Sequence, residues 1–553
     1  MSTDSAAVQT SKATSIPPFV RALLGLLLLV PACGLCSANM LMLTLNTFTG
    51  SLQDSAFFGE GDFVGMENYA RLFETPGFSS AFGYTSLVIF VHVLLATLIP
   101  PILAIAIYGL SSRLRQGARL FFTLPLAFFG PALLMLGPGY LRGLWSIDSA
   151  NRAYLLVTSL AGLAIACAAG VIVYSAILRG RNESSDGSRP VLAPMVITWL
   201  VVQLATAAYV LQSFNVLSGL LPNRGGVPLG RVLHQTVVTM QLGMNSAIST
   251  VILLFVALLG IVATLLIVLG RLQLSYQARS ETEQTSSPSL PAVLRWVALL
   301  IGGAAVLVAV VLPLLLSLIR IFPALGDDLF GSLNVSILRV WVNSILPALL
   351  MILLVQLPVA YLGALGLGVT RPLGRGSPWL LLLFSPWLFV TSMPLTFAAF
   401  QNLRELEIVD TFLALAPPLL LNIPMLFLLT LFFIGQEPKW RKAREQGTPA
   451  AKALFQQLIV PSLPLAGFLA VLSLLVASQD LIVPLMMGIS AEQLTFSTAI
   501  LRVSASARPG SSAPLIALFG IPYSLIFFVL FAALQMFYLD RLTLTRRQDD
   551  PRQ

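Results

Sequence analysis

Residues able to do acid–base, nucleophilic or metal chemistry are few in this chain of 553 residues, and they do not gather. There are two histidines and three cysteines. Cys33-Gly-Leu-Cys36 has the spacing of a dithiol redox pair, but Cys33, Cys36 and Cys167 all fall in apolar runs, where small packing residues are the simpler reading. His92 also lies in an apolar run, and a hydrogen-bonded packing role fits a lone imidazole there. None of the lysines, Lys12, Lys439, Lys442 and Lys452, follows a glycine, so a P-loop is absent and nucleotide chemistry would lie on another chain. No His-Glu-x-x-His, no Gly-x-Ser-x-Gly and no metal-spaced Cys/His cluster occurs. The sequence carries no catalytic signature.

One polar, basic stretch stands between two long apolar runs. It begins Pro438-Lys-Trp-Arg-Lys-Ala-Arg-Glu-Gln-Gly447-Thr-Pro449 and ends Leu458-Ile-Val-Pro461. Pro438 and Pro449 each suit the first turn of a helix, where a missing N–H costs nothing. Thr448 is placed to cap the second helix, and Gly447 to end the first in a left-handed turn. The spacing predicts helix, sharp corner, helix, and an apolar run after Pro461. A link that merely turned back would be far shorter, so the stretch reads as a docking surface for something outside a bilayer.

The elements that must position this stretch are hydrophobic. Apolar residues make up 57% of the chain and charged residues 10%, with a mean hydropathy of +0.89; soluble domains carry about a quarter charged residues. The composition predicts an all-α, polytopic membrane protein. Twelve apolar runs of spanning length are predicted, from 22–45 to 513–538 and including 120–137, 378–396 and 411–435. With the N-terminus in the cytosol, 22 of the 32 Lys and Arg fall in cytoplasmic segments, the bias that the positive-inside rule requires. Both termini and the 436–458 loop then face the cytosol, and the net charge of +9 does not point to nucleic acid.

Internal echoes divide the chain. Gln212-Ser-Phe-Asn-Val-Leu echoes Ser478-Gln-Asp-Leu-Ile-Val, and Ser246-Ala247 echoes Ser512-Ala513, both at an offset of 266. Two parallel six-helix halves follow: a disordered N-terminus at 1–18, a first half at 19–272, a polar linker at 273–293, a second half at 294–545 and a tail at 546–553.

The 438–461 stretch resembles the cytoplasmic loop of permeases of ATP-binding-cassette (ABC) importers, whose signature is Glu-Ala-Ala, then a glycine, then Ile-x-Leu-Pro. Leu458-Ile-Val-Pro461 is similar to the closing element and Gly447 to the glycine. Lys442-Ala443-Arg444 or Ala443-Arg444-Glu445 stands at the opening. Phe63-Val-Gly-Met-Glu-Asn-Tyr69 resembles the Phe-x-Gly-Leu-x-Asn-Tyr element of the carbohydrate branch. Ser478-Gln-Asp-Leu-Ile-Val-Pro-Leu485 resembles its Trp-Asn-Asp-Phe-x-x-Pro-Leu, and Gly225-Gly-Val-Pro228 its Thr-x-Gly-Gly-Pro loop. The resemblance covers nearly all of 60–545 through loose motifs.

It implies a type I, binding-protein-dependent permease of the carbohydrate (maltose) type with both halves fused, in a bacterial or archaeal cytoplasmic membrane. The implied partners are an ABC ATPase subunit dimer, which would hold ATP and Mg, an extracytoplasmic solute-binding protein, and a small solute of the sugar class. No cofactor on this chain and no nucleic acid are implied. The implied coupling residues are Lys442, Ala443, Arg444, Glu445, Gly447 and Pro461. Glu183, Asp186 and Gly187 would form a contracted first-half counterpart, with two residues between Gly187 and Pro190.

The rival class is a twelve-helix secondary transporter driven by an ion gradient. Such proteins need ionisable groups within the membrane, whereas every Lys, Arg, Asp and Glu here can be placed in a loop or at a span end. Importers of iron, thiamine or polyamine are alternatives for the substrate, since fused halves are commoner among the first two. Gln203, Gln356, Thr391 and Ser473 lie inside apolar runs and read as an uncharged substrate path or as interhelical packing.

Overall fold

In a computed structural model of the chain, which describes residues 17–54, 61–128, 150–180, 191–214, 227–277, 290–315, 319, 335–506 and 513–547, long apolar helices dominate. In chain order they are α1 (Phe19–Ser51), α2 (Gly77–Tyr108), α3 (Ser112–Ala127), α4 (Tyr154–Gly180), α5 (Leu192–Leu211), α6 (Leu242–Leu269), α7 (Ala292–Leu315), α8 (Ile337–Thr370), α9 (Ile423–Glu445), α10 (Ala450–Ala477) and α11 (Phe519–Arg541). All but α3 and α9 belong to the nine helices, among the described residues, that are long and apolar enough to cross a bilayer. The chain is an all-α polytopic membrane protein.

The remaining predicted runs depart from simple helices for local reasons. Run 120–137 is helical as far as Ala127, and residues 129–149 lie outside the described ones. Run 378–396 forms 3-10 turns at Gly374–Leu383, Ser385–Trp387 and Met393–Leu395. Pro378, Pro386 and Pro394 withhold N–H donors along it, which disfavours an unbroken α-helix. In run 411–435, Pro417-Pro418 keeps 416–422 irregular before α9 starts at Ile423.

Packing between the two predicted halves is reciprocal. Helix α1 lies against α8 and α7 against α2, while α3 lies against α11 and the 374–395 stretch against α6. The first and third predicted runs of each half thus pack on the second and sixth of the other. Glycine permits two of these contacts: a Cβ on Gly25 would strike the Thr370 side chain, and one on Gly260 the Ser385 carbonyl.

A two-stranded sheet sits at each end of the bundle. At one end β1 (Gln53–Asp54) pairs antiparallel with β2 (Asp62–Phe63), and Gly65 at φ +59 turns the chain into the amphipathic helix Glu67–Glu74. Asn68 Nδ2 donates to the carbonyls of Ser51 at 3.0 Å and Gln53 at 2.8 Å, and the Tyr69 and Ser51 hydroxyls meet at 2.7 Å. The Asn-Tyr pair thereby latches this helix to the end of α1.

At the other, basic end β3 (Leu272–Tyr276) pairs antiparallel with β4 (Leu542–Arg546), with Leu274 opposite Leu544 at the centre. The linker predicted from 273 therefore opens as a strand, and the tail predicted from 546 begins inside one. The Leu-x-Leu alternation of both segments is the signal for this. Residues 278–289 of the linker, 1–16 and 548–553 lie outside the described ones.

The ribbon runs along α9, where a Cβ on Gly435 would strike the Leu274 carbonyl. Gly435→Ala is expected to cost about 1–3 kcal/mol of overpacking and to lower the melting temperature of the purified protein. Gly467→Ala, whose Cβ meets nothing within 4 Å, is expected to leave melting unchanged or raise it slightly. Equal melting of the two variants would mean that the ribbon does not rest on α9.

Candidate functional site

The hairpin of residues 436–461 keeps the predicted plan and changes its details. Helix α9 continues unbroken through Pro438 to Glu445, so that proline lies inside the helix rather than at its start. The corner is a Schellman turn. Gly447 has φ +86, the Thr448 N–H donates to the Ala443 carbonyl at 3.1 Å, and the Gly447 N–H to the Arg444 carbonyl at 3.0 Å. Thr448 does not cap the second arm; Pro449 holds the N-cap position with no side-chain bond. That arm runs Ala450–Leu454, widens into a π turn at Phe455–Ile459, and continues with Pro461 in the next turn. The Tyr538 hydroxyl donates to the Pro461 carbonyl at 2.5 Å.

Lys442, Glu445, Gln446, Gly447 and Lys452 are exposed, and Ala443 and Arg444 are half-buried. The Arg444 guanidinium lies over the Trp440 ring, 5.5 Å from its centroid. Ala453 and Leu458 are buried, which fixes the second arm. Phe455 is left 55% exposed on this otherwise polar tip.

One carboxylate organises the base of the hairpin. Glu437 is 1% exposed and meets Nη2 of Arg441 at 2.5 Å, of Arg371 at 3.3 Å and of Arg21 at 3.5 Å. On either side of Glu437 in the chain, Gln436 Nε2 and Lys439 Nζ donate to the Tyr276 carbonyl at the end of β3, at 3.3 and 2.5 Å. The other side of the ribbon is held by α4, whose Arg179 donates through Nε and Nη2 to the Leu542 and Leu539 carbonyls, both at 2.9 Å. Arg119 of α3 adds an ion pair with Asp540 at 3.0 Å. The ribbon therefore bridges α9 and α4. Glu183, Asp186 and Gly187 lie outside the described residues.

The four polar residues of the apolar runs fall on different contacts. Gln356 Nε2 donates to the Leu419 carbonyl at 2.7 Å, and Ser473 Oγ accepts from Asn422 Nδ2 at 2.8 Å, so both serve the irregular 416–422 segment. The Thr391 N–H and hydroxyl reach Gln212 Oε1 at 2.9 and 3.2 Å, and Gln212 Nε2 donates to the Phe389 carbonyl at 2.9 Å. Gln203 has both amide atoms buried without a hydrogen bond among the described residues.

Asp480 accepts from the Ser392 hydroxyl at 2.5 Å and the Ile482 N–H at 3.0 Å. Burial raises its pKa, and these hydrogen bonds oppose the rise. Gln212 and Asp480, which belong to the two echoing segments, thus converge on neighbouring residues, Thr391 and Ser392. That convergence was not legible in either segment alone.

A β-branched side chain at the left-handed Gly447 costs about 1–2 kcal/mol, which raises local opening about five- to thirtyfold. Trypsin cleavage after Lys442, Arg444 and Lys452 is expected to accelerate by that factor in Gly447→Val. It is expected to stay near the parent rate in Gly447→Asn, since asparagine tolerates this conformation. Equal rates for the valine variant and the parent would show that glycine does not set the corner. No protein-family model matches the sequence, and no curated protein matches it.

Proposed function

We propose that the chain is the transmembrane permease of an ABC importer, with both halves on one chain, and that it passes a small solute of the carbohydrate class delivered by an extracytoplasmic binding protein. The observation that carries this reading is the 436–461 hairpin. Helices α9 and α10 join through a tight corner, presenting Lys442, Glu445, Gly447 and an uncovered Phe455. That shape suits a groove on a cytosolic ATPase, which would hold the ATP and Mg for which this sequence has no P-loop.

In this reading the basic end is cytosolic, as the positive-inside rule requires, and both termini lie there. The membrane is the cytoplasmic membrane of a bacterium or archaeon. The opposite end, with the Glu67–Glu74 helix and residues 479–506, receives the binding protein. The carbohydrate class is supported by the Phe63–Tyr69 and Ser478–Leu485 resemblances, and by the uncharged character of Gln203, Gln212 and Thr391.

The mechanism is alternating access, in which closure of the ATPase pair draws the hairpin inward and opens the opposite end. The β3–β4 ribbon supplies the route by which one large hairpin moves both halves. It binds α9 through the Tyr276 carbonyl and α4 through Arg179. Displacement of α9 is thereby passed to α4.

Uptake into vesicles is expected to require ATP and a co-expressed ATPase subunit. Uptake driven by a proton gradient without nucleotide would replace this reading with a secondary transporter, and a binding protein that takes ferric ion, thiamine or polyamine would overturn the carbohydrate class alone. The ribbon is tested separately by cysteines at Ser275 and Thr543, whose hydroxyls lie 2.8 Å apart, in a chain lacking Cys33, Cys36 and Cys167. Because the ribbon moves as one body, their oxidation to a disulfide is expected to leave ATP-driven uptake intact. Uptake lost on oxidation and restored on reduction would mean that the strands part in each cycle.

A further inference from the structure

His92 of α2 is half-buried, and each of its ring nitrogens is aimed at a carbonyl oxygen. Nδ1 lies 2.8 Å from the Val88 oxygen of its own helix, and Nε2 lies 3.1 Å from the Thr158 oxygen of α4. Gly162, one turn beyond Thr158, makes room for the ring. A Cβ there would stand 2.6 Å from the imidazole Cδ2 and 2.8 Å from Nε2. The side chain is thereby held between two helices that pack along their length.

A carbonyl oxygen only accepts. A neutral imidazole has one N–H and one lone pair, whichever tautomer it adopts. It therefore donates to Val88 or to Thr158, and its other nitrogen then sets a lone pair against an oxygen at hydrogen-bond distance. In apolar surroundings such an unmet contact is costly. The protonated ring carries two N–H groups and meets both carbonyls, through the stronger bonds that a charged donor makes. This pair of acceptors is complete only for the imidazolium.

The described residues of α2, α4, α5 and α7 include no Asp or Glu, so the proton comes from the medium and not from an acid on these helices. Tyr84 of α2 and Tyr154 of α4 pair their rings 6.3 Å apart on the Glu67–Glu74 side of His92, and Tyr209 of α5 meets the fields of Tyr154 and Asp480. The short helix Leu229–Val238, bonded to Thr85, carries Arg231 and His234. Glu67, Arg71 and Glu74 belong to the helix before α2. Arg179 of α4, Arg295 of α7 and the arginines of α3 lie towards the basic end.

We propose that His92 is a proton-operated clamp between α2 and α4, which takes up a proton when the medium is acidified and then donates to the Val88 and Thr158 carbonyls together. Neutral His92 makes the bond across the seam only by giving up the bond within α2. Protonation removes that choice and tightens the seam. This inference does not depend on the transport reading.

The test uses the full-length purified chain in lipid nanodiscs, labelled with 15N-histidine and with threonine carrying 13C at its carbonyl. The two histidines give two imidazole spin systems, and His92→Gln shows which of them is His92. Solid-state NMR spectra are taken from about pH 8 to about pH 4.5, across and below the ordinary histidine range. At the acid end both His92 nitrogens are expected to be protonated, with a stronger dipolar coupling of Nε2 to a threonine carbonyl carbon. At the pH where half of the parent His92 is doubly protonated, Gly162→Ala, which displaces the ring, is expected to show about tenfold less of that form. Gly83→Ala, whose Cβ meets nothing within 4 Å, is expected to match the parent. A His92 nitrogen still unprotonated at the acid end, or a coupling to threonine that acid leaves unchanged, would overturn the clamp. Identical titration of Gly162→Ala and the parent would show that the two carbonyls do not hold the proton. The parent spectra decide between these outcomes even if Gly162→Ala does not fold.

Discussion

Within the apolar interior of a bilayer no water meets a backbone N–H or C=O that leaves an α-helix, so each must find a partner in the protein. Much of the second half is built around that constraint. The proline-broken stretch 374–395 and the irregular segment 416–422 both run beside long helices, and neighbouring side chains meet their backbone. Gln212 receives the Thr391 N–H and donates to the Phe389 carbonyl. Asn39 donates to the Pro418 carbonyl and accepts from the Leu420 N–H, at 3.0 and 3.1 Å. Gln356 donates to the Leu419 carbonyl. Gln212, Asn39 and Gln356 are thereby explained by the backbone that they complete.

The same requirement shapes the basic end, where charges replace amides. Glu437 is buried with guanidiniums from α1, α9 and the end of α8, so elements far apart in the chain share one ion cluster. Losing one partner of a buried ion pair costs far more than an exposed pair ever contributes, and this makes the cluster a fixed point rather than a surface ornament. The ribbon β3–β4 adds a second fixed point beside it. Its two strands end the two predicted halves, and its outer bonds reach α9 on one side and α4 on the other. The hairpin is thereby anchored to the bundle at both points.

The sequence by itself determined the class. Apolar runs of spanning length and a charge content far below that of soluble domains require a helical membrane protein, because burial of side chains and internal pairing of the backbone leave few alternatives. Local chemistry also marked the left-handed glycine at the corner, since only the residues around Gly447 are needed to specify a Schellman turn. The turn at Gly65 and the amphipathic helix Glu67–Glu74 likewise form within one short stretch of chain. Tertiary structure decided the rest. That Pro438 is threaded through a helix, that Leu272–Tyr276 is a strand rather than a linker, and that Gln356 and Ser473 serve the 416–422 segment all depend on partners distant in the chain. Composition and periodicity report what a residue prefers, whereas a strand's mate, a buried charge's counter-ion and an amide's acceptor are set by which segments the fold brings together.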